Sequence, residues 1–215
     1  MNIQELMNEL FLWCRDGGPH DYSKSCDTLK TGNPETELTK VAVSMFATPE
    51  IIREVSVWGA KFLIVHEPTF YDHYDRRIPD DPVTQAKADL LSASGLAIWR
   101  YHDHPHVKYK DMICEGQIRF FGLEGEWIKG PRPAVNRFRL KEAMTPRELA
   151  RQFRGKGNAQ NIRLCGAVDQ PCTNLSLCFG TPGGVFDELR NPDIDLVLTG
   201  EACEWQLGEY ARDAA

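Results

Sequence analysis

The feature that most constrains the fold is a short apolar segment that ends abruptly in polar residues. Phe62-Leu63-Ile64-Val65 is followed at once by His66-Glu67-Pro68. A continuous apolar run bounded by polar and turn residues is typical of a buried strand, usually a parallel strand covered on both faces. Open α/β sheets hold their ligands at the carboxyl ends of such strands. His66 and Glu67 are therefore the first candidates for chemistry.

The residues before this segment predict a strand, a helix and a second strand in succession. Thr39 to Phe46 is rich in Val and alternates in polarity, which predicts a strand. Thr48-Pro49-Glu50 provides an N-cap, a proline at the first helical position and an early acid, so a helix should run to about Trp58 and end at Gly59. Two strands joined in this way are parallel.

A second polar cluster follows another predicted strand. Leu96 to Tyr101 is strand-like and runs into His102-Asp103-His104-Pro105-His106. If this strand is parallel to the previous one, both clusters emerge at one edge of the sheet. Pro105 disfavours helix at His104, so the segment should be extended, with its three histidines on one side and Asp103 on the other. Imidazole and carboxylate ligands favour Zn²⁺, Mn²⁺ or Fe²⁺, so a divalent metal site is predicted here rather than a solvated loop.

Composition limits the classes of function. The chain has 215 residues, and its 25 Lys and Arg against 31 Asp and Glu give a net charge of −6. A negative chain without a basic block is a poor candidate for wrapping nucleic acid. Its seven cysteines are scattered and never form C-x-x-C, so neither a disulfide framework nor a zinc ribbon is indicated. Without a basic leader or a long apolar run, the chain is predicted to be cytoplasmic, away from membranes, and to act on a small molecule.

Two prolines, Pro131 and Pro133, mark the predicted boundary between an N-terminal lobe of residues 1–130, which carries both histidine motifs, and a C-terminal lobe of residues 131–215. An internal similarity suggests that the lobes are related and offer their strand ends to a shared cleft, although so short a match also arises by chance. The second lobe should contain strands at Phe138–Leu140, Ile162–Val168, Leu175–Phe179 and Asp195–Leu198. The similar segments are Phe46-Ala47-Thr48-Pro49 and Phe179-Gly180-Thr181-Pro182.

The other candidate residues have several interpretations. Glu201, after the last predicted strand, suits a metal ligand, a general base or a carboxylate at a helix N-terminus. The glycine-rich segment 180–184 is either a turn or an anion site at a helix start. Asp27 could face a site, but it is interpreted as a turn-forming or solvated residue. His20 is interpreted as a loop residue, and His73 as a surface residue or at most a contact at the rim of the site.

The order of these motifs resembles the Nif-three-like family of dinuclear metal centre proteins, often labelled GTP cyclohydrolase I type 2 homologues. The resemblance extends from about Asp27 to Tyr210. It is carried by Thr48 with its helix, Gly59-Ala60, His66-x-Pro68-x-Phe70, the strand before His102, and the DLVLTGE segment that ends at Glu201.

The resemblance implies a set of metal ligands. The family has His-His-Pro where this chain has His66-Glu67-Pro68, and His-Thr-Asn-x-Asp where it has residues 102–106. The matching positions make His66 and His106 metal ligands, with Glu67 in place of an imidazole, similar to a divergent branch of the family with His-Glu-Pro-Thr-Phe and His-Asp-His. Together with His102 from the histidine cluster, the expected ligands are His66, Glu67, His102 and His106. The family's third motif, Gly-His followed by Ser/Thr-x-Glu, does not occur before Ala215, so one or two metal ions remain possible.

The expected fold is α/β, with two related lobes of mixed, mainly parallel sheet flanked by helices, and the resemblance implies a toroidal homohexamer. The expected function is metal-dependent hydrolysis of a small nucleotide-like, phosphoester or amide substrate. The metal would generate hydroxide from bound water, and Asp103 or Glu201 would orient ligands or move the proton. The alternative is a non-catalytic, metal-stabilised oligomeric binding or regulatory protein.

Overall fold

The computed structural model describes residues 1–15, 21, 23–108, 110–132, 135–180 and 183–215. The chain forms two compact units, Met1–Tyr109 and Lys110–Ala215. Residues 110–130, which the sequence analysis places in the first lobe, thus lie in the second unit. Pro131 is part of a strand rather than a linker, and Pro133 lies outside the described residues.

The first unit contains a four-stranded sheet in the order β1-β4-β3-β2. Strands β2, β3 and β4 are mutually parallel, and β1 is antiparallel to β4. The elements of this unit are α1 (Ile3–Trp13), β1 (Leu29–Thr31), β2 (Val41–Ser44), α2 (Pro49–Trp58), β3 (Phe62–Val65), α3 (Pro82–Ser94), β4 (Ala97–Arg100) and α4 (Asp103–Val107).

Local sequence signals fix the start and the end of α2 as predicted. The Thr48 side chain accepts a hydrogen bond from the backbone N–H of Ile51, and Pro49 occupies the first turn. Gly59 ends the helix with a φ of 82°, a left-handed conformation that glycine adopts at little cost. The next strand, β3, is buried at all four positions because it lies between β2 and β4.

The second unit contains another four-stranded sheet, in the order β5-β6-β7-β8. Strands β7 and β8 are parallel, and the other two pairings are antiparallel. Its elements are α5 (Met112–Phe121), β5 (Gly125–Arg132), β6 (Val135–Met144), α6 (Pro146–Gly157), β7 (Cys172–Cys178), α7 (Val185–Leu189), β8 (Leu196–Thr199), a π-helix (Glu204–Gly208) and α8 (Glu209–Asp213). The mixed α/β fold is confirmed, and parallel pairing predominates in the first sheet alone.

Several elements differ from the sequence prediction. Residues 162–168 form no strand, and their side chains are exposed or half-buried. Strands β1 and β5 lie in stretches for which the sequence predicted no strand. Both are edge strands, where a short element and a proline such as Pro131 are tolerated because one side of the strand needs no hydrogen-bonding partner. Among the described helices, none has the length and apolar character needed to cross a bilayer.

Candidate metal centre

The first unit brings the two histidine motifs to one edge of its sheet. Strands β3 and β4 are parallel neighbours, and their last residues, Val65 and Arg100, are paired in register. The backbone N–H of Tyr101 donates to the carbonyl oxygen of Val65 at 2.8 Å, which continues the pairing past the strand ends. His66 and His102 therefore follow aligned strand ends, as the sequence predicted.

The segment after β4 is helical, and the prediction of an extended segment was wrong. Helix α4 covers Asp103–Val107, with His102 as its N-cap residue. Pro105 is the third helical residue. A backbone N–H at this position would have no acceptor within the helix, so its absence in proline costs no helical hydrogen bond. His102 and His106 are four residues apart and share a helical face, whereas His104 points elsewhere. The helix, not an alternating strand, selects which histidines meet.

Three imidazoles converge at this edge. Ring nitrogens of His66, His102 and His106 all lie within 4.8 Å of one another. The ring centroid of His66 lies 4.4 Å from that of His102 and 5.1 Å from that of His106. The centroids of His102 and His106 are 4.8 Å apart. Three of the four predicted ligands thus form one cluster.

His66 is held in its neutral form. Burial, together with the neighbouring His102 and His106, lowers its pKa from 6.5 to about 4. Its Nε2 lies 3.3 Å from Nε2 of His106. Two imidazole lone pairs at this separation repel each other unless a proton or a cation lies between them. The cluster therefore suits a cation.

Asp103 orients one of the three rings. Its Oδ1 lies 2.8 Å from Nδ1 of His102, and its Oδ2 accepts the backbone N–H of Cys26 at 3.0 Å. Burial raises the pKa of Asp103, but hydrogen bonds from His102, Cys26 and Ser25 outweigh it and hold that pKa well below its usual range. An ionised carboxylate on Nδ1 places the ring proton there and leaves Nε2 of His102 free to bind a metal.

A second group of possible donors comprises Cys26, His102 and Asp103. Burial, with nearby Asp103 and Asp27, raises the pKa of the Cys26 thiol to about 12 despite the opposing charge of Arg100. The thiol is therefore protonated, and its Sγ lies 3.5 Å from Oδ1 of Asp103. In the metal-free chain Cys26 is thus a hydrogen-bonding neighbour of Asp103, which in turn contacts the His102 ring, and a bound cation would deprotonate the thiol.

Asp27 is a functional candidate that the sequence interpretation named but set second to a solvated turn residue. Its side chain is 5% exposed, so the expectation of a solvated turn residue was wrong. Its carboxylate accepts hydrogen bonds from the backbone of His102, Asp103 and His104 and contacts the His104 ring. Burial raises its pKa, but these bonds lower it further, so the net shift is downwards. Its position just before β1 was the available signal, and β1 itself was not predicted.

Arg100 secures the loop that carries His66. This arginine is 1% exposed, and its Nε donates to the carbonyl oxygen of His66 at 3.0 Å. Its Nη1 donates to the carbonyl oxygen of His73. One buried cation thus ties His66 and His73, at the start and near the middle of the segment between β3 and α3, to the end of β4. These bonds fix the backbone from which His66 projects.

The remaining predicted residues are in neither donor group found among the described residues. Glu67 is partly buried and is absent from both donor groups found among the described residues, so its role as a ligand stays a prediction. Glu201 is exposed in the second unit, and its proposed role stays a prediction as well. His73 is exposed, with its ring centroid 6.4 Å from that of His102. His20 and residues 181–182 of the glycine-rich segment lie outside the described residues.

Known proteins resemble this chain over nearly its whole length. A GTP cyclohydrolase 1 type 2 homolog from Clostridium perfringens (strain 13 / Type A) is 19% identical over 212 residues, which span 95% of this chain and 80% of the relative. A solved structure described as protein ybgI, of unknown function, superimposes with a TM-score of 0.81 at 18% identity, covering 100% of this chain and 84% of the other.

A Bacillus cereus protein described as related to NIF3 gives a TM-score of 0.75 at 14% identity, over 100% of this chain and 86% of that one. At such low identities these structures establish the fold alone. The family model for Duf34/NIF3 (NGG1p interacting factor 3) matches residues 1–213. With the strand order and the histidine cluster, this match shows that the chain belongs to the Duf34/NIF3 family.

Proposed function

We propose that this chain binds a divalent transition-metal ion through His66, His102 and His106 and uses it to hydrolyse a small nucleotide-like, phosphoester or amide substrate. The observation that carries the proposal is the convergence of three ring nitrogens within 4.8 Å. Nitrogen donors favour ions such as Zn²⁺ or Fe²⁺ over Mg²⁺ and Ca²⁺. Three imidazole ligands leave further coordination positions for an oxygen donor and for water or substrate, as catalytic metal sites require.

The chain's own groups prepare these ligands. The lowered pKa of His66, about 4, keeps its lone pair available at neutral pH, so metal binding there displaces no proton. Asp103 accepts a hydrogen bond from Nδ1 of His102. This bond leaves Nε2 of His102 unprotonated and turned to the side opposite Asp103, where it can bind the metal. A divalent ion held by these residues would lower the pKa of a coordinated water towards neutrality and so would supply a nucleophile.

Two carboxylates complete the proposal. Glu67, next to His66, is proposed as an additional oxygen ligand, and Glu201 as the group that accepts or returns a proton. The name of the Clostridium perfringens relative makes purine nucleotides the first substrates to test. Phosphoesters and amides follow, since kinship of fold does not decide the reaction.

Metal analysis tests the binding step. Protein purified without added metal should contain or take up about one equivalent of Zn²⁺, Mn²⁺ or Fe²⁺. His66→Ala should reduce affinity by more than the roughly 10–100-fold that loss of an outer-sphere partner causes. His73→Ala is the matched control, because its ring is exposed outside the cluster, and should bind as wild type does. Less than about a tenth of an equivalent, with no uptake, would overturn the proposal.

Turnover tests the catalytic step. The metal-loaded protein should hydrolyse a member of the substrate panel, and His66→Ala should lose this activity with assembly intact. Glu201→Gln should retain the metal and lower kcat by about 100-fold, the range expected for loss of a general acid–base group. If wild type turns over nothing and His66→Ala loses both the metal and the proposed hexamer, the protein is instead a metal-stabilised binding protein.

A further inference from the structure

The carboxylate of Asp27 lies beneath the start of helix α4. Its Oδ1 accepts the backbone N–H groups of His102 at 2.7 Å and Asp103 at 2.8 Å. Its Oδ2 accepts the backbone N–H of His104 at 2.8 Å and lies 2.6 Å from Nδ1 of the same residue. One side chain, from the loop before β1, thus holds three consecutive backbone groups and one ring.

Helix α4 needs such support. It has five residues, and helices much shorter than about 12 residues are marginal in water on their own. The first N–H groups of any helix lack intrahelical acceptors, and the N-cap residue His102 makes no side-chain capping bond. Asp27 satisfies the N-cap residue and the first two helical residues together. Its negative charge also interacts favourably with the partial positive charge at this end.

The ring of His104 anchors the other side of the helix. Its centroid lies 4.2 Å from that of Phe11 and 6.3 Å from that of Tyr101, and the residue is 9% exposed. Successive helical residues are rotated by about 100°, so His104 lies far around the axis from both His102 and His106. The contact between His104 and Asp27 therefore fixes the rotation of α4 as well as its start.

We infer that Asp27 is a positioning residue for the metal centre: it sets the start and rotation of α4 so that His102 and His106 face His66. This inference depends on the proposed metal-binding function. Asp27 is in neither donor group found among the described residues, and it acts through the backbone of residues 102–104 and through the His104 ring. Any loss of these bonds should appear in the geometry and affinity of the bound ion.

The variant Asp27→Asn tests the inference with little change in volume. An amide has one acceptor oxygen, so in either orientation its NH₂ group faces N–H donors and their bonds are lost. We expect metal affinity to fall by about 10–100-fold, the range for an outer-sphere partner. The visible absorption of bound Co²⁺ should change, and backbone amides 102–104 should exchange faster with solvent.

The control variant is Asp81→Asn. Asp81 caps α3 in the same unit by accepting the backbone N–H of Thr84 at 2.7 Å, and it makes no contact with the histidine cluster. Asparagine caps helices about as well as aspartate, so this variant should keep both the affinity and the Co²⁺ spectrum. Tm is measured for both variants beside the Co²⁺ spectrum. A purely structural role for Asp27 would change Tm without changing the spectrum.

The outcomes separate this inference from the proposed function. Wild-type affinity and spectrum in folded Asp27→Asn would overturn the inference, while wild-type affinity in His66→Ala would overturn the function beneath it. If Asp27→Asn does not fold, the variant His104→Phe tests the inference instead. The phenylalanine ring can pack against Phe11 and Tyr101 as the imidazole does, but it cannot bond to Asp27. Weaker metal binding at near-wild-type Tm supports the inference, and unchanged binding refutes it.

Discussion

The two units each contain a strand, a helix and a parallel strand, yet they end differently. In the first unit these elements are β2, α2 and β3, and in the second they are β7, α7 and β8. In both units the two residues after the second strand donate their backbone N–H groups to one carbonyl oxygen: His66 and Glu67 to Met45, and Gly200 and Glu201 to Gly180. A common origin of the two segments stays a prediction.

What differs is the position of the second strand in its sheet. Strand β3 is flanked by β2 and β4, and all four of its residues are buried. Strand β8 is at the edge of its sheet, and all four of its residues are partly buried. The end of β3 therefore meets the end of a second parallel neighbour, which supplies His102 and His106. The end of β8 carries an exposed carboxylate, Glu201.

The largest expected effect contrasts the central strand with the edge strand. Leu63 is 0% exposed in β3, so Leu63→Ala should lower the free energy of unfolding by about 3 kcal/mol. Leu198 is partly buried in β8, and Leu198→Ala should cost about 1 kcal/mol. Urea denaturation of both variants measures the difference. Equal losses would show that edge and centre are equally well packed, contrary to their burial.

Acidification should destabilise the protein through His66 at the end of β3. The pKa of His66 is lowered to about 4, so the unfolded chain binds more protons below the ordinary value of 6.5. Stability of the metal-free protein is then fully present above pH 6.5 and should fall by roughly 3 kcal/mol as the pH drops to 4.

Denaturation as a function of pH measures this loss, and His66→Gln should lack it. The carboxyl groups of Asp27 and Asp103, whose pKa values are lowered, contribute at still lower pH. The indole NMR signals of Trp99 in β4 and Trp127 in β5 report on the two units separately. A loss of equal size in His66→Gln would place the titrating group elsewhere.

The smallest expected effect concerns the helices between the paired strands. Thr48→Ala removes the side-chain cap of α2 and should cost about 1 kcal/mol. Helix α7 begins after Gly184, which makes no side-chain capping bond, so Gly184→Ala tests backbone conformation instead, since Gly184 has a φ of 81°. The denaturation midpoint of Thr48→Ala measures the contribution of a hydroxyl cap to α2. The midpoint of Gly184→Ala measures how far the start of α7 depends on a glycine in the left-handed conformation.

Local signals made much of the first unit predictable. Thr48, Pro49 and Gly59 define α2 through bonds and dihedral angles within a few residues, and the apolar run of β3 reports its burial directly. The same reasoning failed for residues 162–168, whose apolar side chains find no neighbouring strand. Hydrophobicity predicts that a segment can pair, but a partner strand must also be available.

The sequence by itself determined the donors, His66 and the histidines of residues 102–106, and the parallel strands that bring them to one edge. Tertiary structure decided which of those histidines converge. Asp27 lies 75 residues before His102, and its carboxylate stabilises a helix where local preferences indicate an extended segment. The physical reason is that a short helix depends on acceptors for its free N–H groups, and here the acceptor comes from a distant loop that no local pattern reveals.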